Sequence, residues 1–198
     1  LSSLDGHLSS AQILPLEWFS VQAWQTNHAK ILDQLSQKFG DVHLVARSSA
    51  ISEDLITSSL AGHFTTVLSV KGKKALKEAI QNVINSYGEA PNTEDEVLIQ
   101  PMLSGVRLSG VVFSRDPGTG SQYRVFNYTV GEDTTAVTGG NMHARTFVVV
   151  DGASKVSPDM QKVMILVKEL EGFFPEQALD IEFAFADPDS TLYLLQAR

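Results

Sequence analysis

The 198-residue chain contains no cysteine, which excludes a disulfide scaffold and any thiolate metal centre and leads us to expect a reducing, cytoplasmic setting. Long apolar runs are missing as well. The longest uninterrupted one, residues 163–167, falls far short of the roughly 20 residues a membrane-spanning helix requires, so no membrane association is expected. Basic residues are in deficit, with 15 Lys and Arg against 23 Asp and Glu and a formal net charge of −8. That sign opposes the cationic footprint that phosphate-backbone binding needs, and nucleic acid is not an expected partner. Neither a P-loop spacing nor a GxGxxG run occurs, so the two commonest nucleotide fingerprints do not apply, and no zinc-ligand spacing is found. The chain opens at Leu1 with no basic segment leading into an apolar one, so no signal peptide is visible and it reads as a piece of a longer protein.

What is present is a globular composition, with 43% hydrophobic and 19% charged residues over a length sufficient for a real core. Val21, Trp24, Ile31, Leu32, Leu35 and Phe39 recur at helical steps and predict a helix over 21–39, stopped by Gly40. A buried strand is predicted over 43–47, feeding a Ser- and Gly-containing loop over 48–63. A strand follows at 64–70, and then a helix over 73–87 with Leu76, Ile80, Val83 and Ile84 on one side. Strands are expected at 97–102 and 107–114, close enough to form an antiparallel pair around 103–106, and further strands at 123–127 and 146–150. Ser157 and Pro158 are suited to open a helix running to about 171. The last two strands, 180–185 and 191–196, form a hairpin about residues 187–190. Without a strict βαβ rhythm, the expected class is α+β with mainly antiparallel sheets, as one domain over 1–198 with a subdomain boundary near 88–96.

Four segments could carry chemistry, each with a plainer alternative. Arg47 at a strand end reads first as a surface ion pair, but its rigid five-donor guanidinium entering a Ser-rich loop also suits phosphate oxygens. The run from Ser58 to Phe64, with Gly62 at its centre, is either a small-residue turn or a loop whose backbone amides approach polyphosphate. Val97 to Met102 is a core strand ending at a sheet edge, or the linker of an adenine pocket in which Gln100 and Met102 lie beside the purine. On the final hairpin, alternation puts Asp180 and Glu182 on one face and likewise Gln196 and Arg198. Two acids, an amide oxygen and a guanidinium on adjacent strands suit Mg²⁺ bridging triphosphate oxygens, although an exposed hairpin face could show the same residues.

The order of these segments resembles one family. Val45 to Ala50 with Glu53, Asp54, Ala61 and Gly62 is similar to its V-R-S-S-A, E-D, A-G run, and Val97 to Met102 to its V-x-x-Q-x-M hinge. Ser109 to Pro117 with Gly120 resembles S-G-V-x-F-S/T-x-D/N-P-x-x-G. Asp180 to Ala184 and Leu194 to Arg198 resemble the closing D-I-E-W/F-A and L-Q-A/T-R. The family is the phosphoenolpyruvate synthase, pyruvate phosphate dikinase and rifampin phosphotransferase group, whose N-terminal region is an ATP-grasp domain of two subdomains. Leu4 to Trp24 and Asn127 to Gly139 look most like its branch with capsule-associated L-glutamine kinases.

The resemblance implies an enzyme that transfers the β,γ-diphosphate of ATP to a carrier histidine on a separate domain, releasing AMP, and then passes phosphate to a small-molecule acceptor. It implies that Arg47 contacts phosphates, Gly62 belongs to the phosphate-covering loop, and Gln100 and Met102 flank adenine. Glu182 and Gln196 would ligate Mg²⁺ with Asp180 in support, and Arg198 would meet the transferring phosphates. The family's N-terminal phosphate-binding lysine has no counterpart here. His7, His28, His43, His63 and His143 lie in no carrier motif, and the isolated piece is expected to be inactive. The alternative of another class is a degenerate module that binds nucleotide without transfer.

Overall fold

The computed structural model describes residues 1, 4–49, 65–88, 91–131, 145–150, 152–153 and 155–198. They form ten strands and three helices in two compact units. One unit is Pro15–Met102; the other joins Leu1–Leu14 to Leu103–Arg198. The chain therefore passes between units at residues 14–15 and 102–103, and not at the expected 88–96 segment. That segment lies within the first unit because the strand following it pairs on both sides with strands of that unit.

The Pro15–Met102 unit is a four-stranded sheet in the order β2 (Glu17–Ser20), β5 (Glu96–Pro101), β3 (Leu44–Ser49), β4 (Thr66–Val70), with helices α1 (Val21–Phe39) and α2 (Lys73–Ser86). Ser20 caps α1 by accepting from the Ala23 amide at 3.2 Å, and Gly40 ends it at φ +63°, a conformation that costs glycine little. The apolar stripes of both helices meet Leu44, Ala46, Val97 and Ile99 of the sheet, with Trp24, Leu35, Ile80 and Val83 among the most buried side chains. Strand alternation then turns Val45, Arg47, Leu98 and Gln100 to the opposite face.

The other unit is a six-stranded sheet in the order β1 (Gln12–Ile13), β10 (Thr191–Ala197), β9 (Asp180–Ala186), β6 (Val106–Phe113), β7 (Tyr123–Val130), β8 (Arg145–Val150). Only β1–β10 is parallel. Helix α3 (Pro158–Phe173), capped by Ser157, packs Val163, Leu166, Val167 and Leu170 onto Val112, Phe126, Ile181, Phe183, Phe185 and Leu194. The strands at 97–102 and 107–114 were expected to pair with each other and do not. β5 has its edges filled by β2 and β3, and β6 by β7 and β9, so adjacent strands in sequence end up in different sheets. Strands β1 and β2 were not anticipated: at 2 and 4 residues they are too short to show a period.

Candidate functional site

The final hairpin sets the best-defined constellation. Glu182 of β9 stands directly opposite Gln196 of β10, and Asp180 and Arg198 exchange backbone bonds in both directions at 2.9 Å. Acid thus faces amide and acid faces guanidinium, although the register of β10 shifts between Leu194 and Gln196. The intervening residues Ile181 and Phe183 are fully buried in the α3 core, so the polar quartet is held on the face away from that helix by the hydrophobic alternation of β9.

Electrostatics single out Asp180. Burial raises its carboxyl to about 6, the neighbouring Glu182 charge adds to the rise, and Arg198 partly opposes it. Its Oδ1 is buried and accepts no hydrogen bond from the protein. An orphaned buried carboxylate oxygen beside a second carboxylate is costly unless a cation or donor completes it. Oxygen donors of this kind are of the chemical type that could hold Mg²⁺, and the Glu182 carboxylate and Gln196 amide could join them. Among the described residues no three His, Cys, Asp or Glu side chains gather into a metal cluster.

The entry to β9 is fixed by residues that sequence reasoning did not single out for any role. Ser114, fully buried, donates its amide to the Leu179 carbonyl at 2.8 Å and accepts the Leu179 amide on its hydroxyl at 2.7 Å. Its carbonyl accepts from Arg124 Nη1, and the same guanidinium clasps Glu171 of α3 at 2.6 and 2.8 Å. Asp116, next in the same motif, is structural. Its Oδ1 accepts from the Thr119 hydroxyl and the Thr119 and Gly118 amides, and these bonds, led by the hydroxyl, hold its carboxyl below the usual range.

In the Pro15–Met102 unit, half-buried Arg47 lies opposite Leu98 on β5 and Thr66 on β4, on the same face as Gln100. Gln100 is only 2% exposed and its Nε2 finds no protein acceptor. Met102 is 37% exposed, but its amide is committed to the His43 carbonyl at 2.7 Å. Tyr87 ties the end of β3 to β5, accepting the Ser49 amide at 3.2 Å and donating to the Glu96 carbonyl. Gly62 and the rest of residues 50–64 lie outside the described residues, as do His63 and His143.

Comparison with known proteins adds the following. Residues 22–164 match the family profile described as pyruvate phosphate dikinase, AMP/ATP-binding domain. A phosphoenolpyruvate synthase of Aeropyrum pernix is 30% identical over 169 residues, covering 78% of this chain and 20% of that protein. The uncharacterized phosphotransferase YvkC of Bacillus subtilis is 25% identical over 222 residues, covering 85% and 26%. The chain thus spans about a quarter or less of the length of these relatives. Among solved structures, the D-alanine–D-alanine ligase of Coxiella burnetii superposes on 93% of the chain and 42% of its own, with a TM-score of 0.52 at 10% identity, a likeness of fold alone.

Proposed function

Since the chain belongs to the pyruvate phosphate dikinase AMP/ATP-binding family and has the ATP-grasp fold, we propose that it is the ATP- and Mg²⁺-holding part of a dikinase-type phosphotransferase. The observation that carries this reading is the paired register of β9 and β10, which sets Asp180 against Arg198 and Glu182 against Gln196 and leaves a buried Asp180 oxygen unsatisfied. Glu182 and Gln196 would hold the metal with Asp180 in support, and Mg²⁺ there would neutralise charge on the phosphate oxygens it joins. Arg198 would stabilise negative charge that develops on the transferring phosphates. Arg47 would grip phosphate oxygens through its planar fork, aided by the loop containing Gly62, while Gln100 and Met102 would border the adenine. The diphosphate would pass to a carrier histidine on another domain, and from there phosphate would reach a small-molecule acceptor, in a cytoplasmic protein.

Titration calorimetry of ATP against the full-length protein at several Mg²⁺ concentrations tests the assignment. Glu182→Ala is expected to abolish the metal-dependent part of the affinity. Unchanged Mg²⁺-dependent binding in that variant would remove Glu182 from the metal site.

A further inference from the structure

The residue after Leu179 is Asp180, and the residues before it, 174–179, form no helix or strand. On the β6 side, what holds Leu179 therefore helps to set how firmly β9 begins. In a regular antiparallel pair the Leu179 amide would donate to the carbonyl of Ser114, returning the bond that the Ser114 amide gives to the Leu179 carbonyl. Here the Ser114 hydroxyl takes the carbonyl's place, accepting the Leu179 amide at 2.7 Å. The displaced carbonyl is not wasted: it accepts from Arg124 of β7, whose guanidinium is only 8% exposed and is paired in fork geometry with Glu171 of α3. Through its hydroxyl Ser114 holds the approach to β9, and through its carbonyl it holds Arg124 of β7, which in turn grips Glu171 in the last turns of α3.

We propose that Ser114 is a positioning residue for the Asp180–Glu182 pair: its side chain, standing in for its own carbonyl, fixes Leu179, the residue leading into β9, so that the acids present a preformed oxygen set to the metal. The proposal rests on the reading that Glu182 and Gln196 hold Mg²⁺. Ser114 itself is wholly buried with its hydroxyl bonded to the Leu179 amide, and is not proposed as a ligand. Its action is that of an outer-shell group, whose loss commonly weakens metal affinity about 10- to 100-fold while leaving the ligands in place.

The test compares full-length wild type, Ser114→Ala, Ser114→Thr and Glu182→Ala, measuring ATP affinity across a Mg²⁺ series and thermal melting without ligand. Ser114→Ala is expected to raise the Mg²⁺ concentration for half-maximal ATP binding about tenfold, with metal-free ATP affinity unchanged. Ser114→Thr, which restores an acceptor hydroxyl, is expected to return the midpoint to the wild-type value. A lower melting temperature in Ser114→Ala with an unmoved Mg²⁺ midpoint would make the serine structural only and overturn the proposal, and so would a threonine variant as impaired as the alanine. If Ser114→Ala does not fold, Ser114→Cys, similar in size with a poor acceptor, is read in the same way. Insensitivity of Glu182→Ala would sink the metal reading itself. A sensitive Glu182→Ala with an insensitive Ser114→Ala would sink the positioning role alone.

Discussion

At Gly110 the backbone of β7 comes so near that a Cβ built there would lie 2.5 Å from the Asn127 carbonyl oxygen and 2.8 Å from the Tyr128 Cβ. Neither neighbour can swing aside without moving the β6–β7 ladder. Gly110→Ala is expected to cost about 1–3 kcal/mol, as overpacking in a tight interior usually does; urea melts of the variant check it, and a loss below a few tenths would mean the strands yield freely. The role proposed for Arg47 turns on shape as well as charge. A guanidinium can bridge two phosphate oxygens where an ammonium offers a single point of charge. Arg47→Lys is therefore expected to fold normally and lose most ATP-dependent AMP release in the full-length protein, whereas full activity would favour an ordinary ion pair. Alternation in D-I-E was enough to read Asp180 and Glu182 onto one face. The Ser114 hydroxyl substitution was not readable, because a serine in a strand does not disclose which acceptor its neighbour's amide will choose.

One carboxylate of helix α3 bonds the amino-terminal segment directly. Glu169 accepts from the amides and hydroxyls of both Ser9 and Ser10. Burial alone would push its carboxyl up, but these bonds, led by the Ser10 hydroxyl, outweigh it and bring it down to about 2 from the ordinary 4.5. A carboxyl lowered on folding stabilises fully above its unfolded value and loses that contribution as pH falls through the folded one. Wild type is therefore expected to exceed Glu169→Gln in stability at pH 7 by about 1 kcal/mol after allowance for solvent screening. The gap should close between about pH 4.5 and pH 2; melting both proteins across that range is the check, and a gap independent of pH would deny the carboxylate its role. The periodic elements were legible in the sequence: 21–39 and 73–87 as helices from their apolar stripes, and 157–158 as a cap followed by proline. The pairing of β5 with β6 was misread for a physical reason. Proximity in sequence favours a hairpin only when both strands have open edges, and sequence alone does not show that β2 and β3 had already claimed those of β5.

The part of the chain that matches covers only 26% and 20% of two of its relatives. None of its five histidines lies in a carrier motif. Residues 1–198 alone are accordingly expected to fold, to bind ATP weakly and to release no AMP above background with glutamine or pyruvate, while the complete protein releases it. Acceptor-dependent AMP formation by the piece alone, followed by chromatography, would refute that division of labour. The two-unit plan was legible only as an expectation of two subdomains, because the early return of β1 to pair with β10 leaves no periodic trace.

Within Pro15–Met102 the first and last strands are neighbours, with Glu17 opposite Ile99. The two ends of that unit consequently emerge side by side, and 15–102 behaves as an insert whose removal leaves a single short gap to bridge. Two crossovers, at 14/15 and 102/103, would exchange such an insert without cutting either hydrophobic core, so swapping residues 15–102 between relatives is expected to yield folded chimaeras that melt cooperatively.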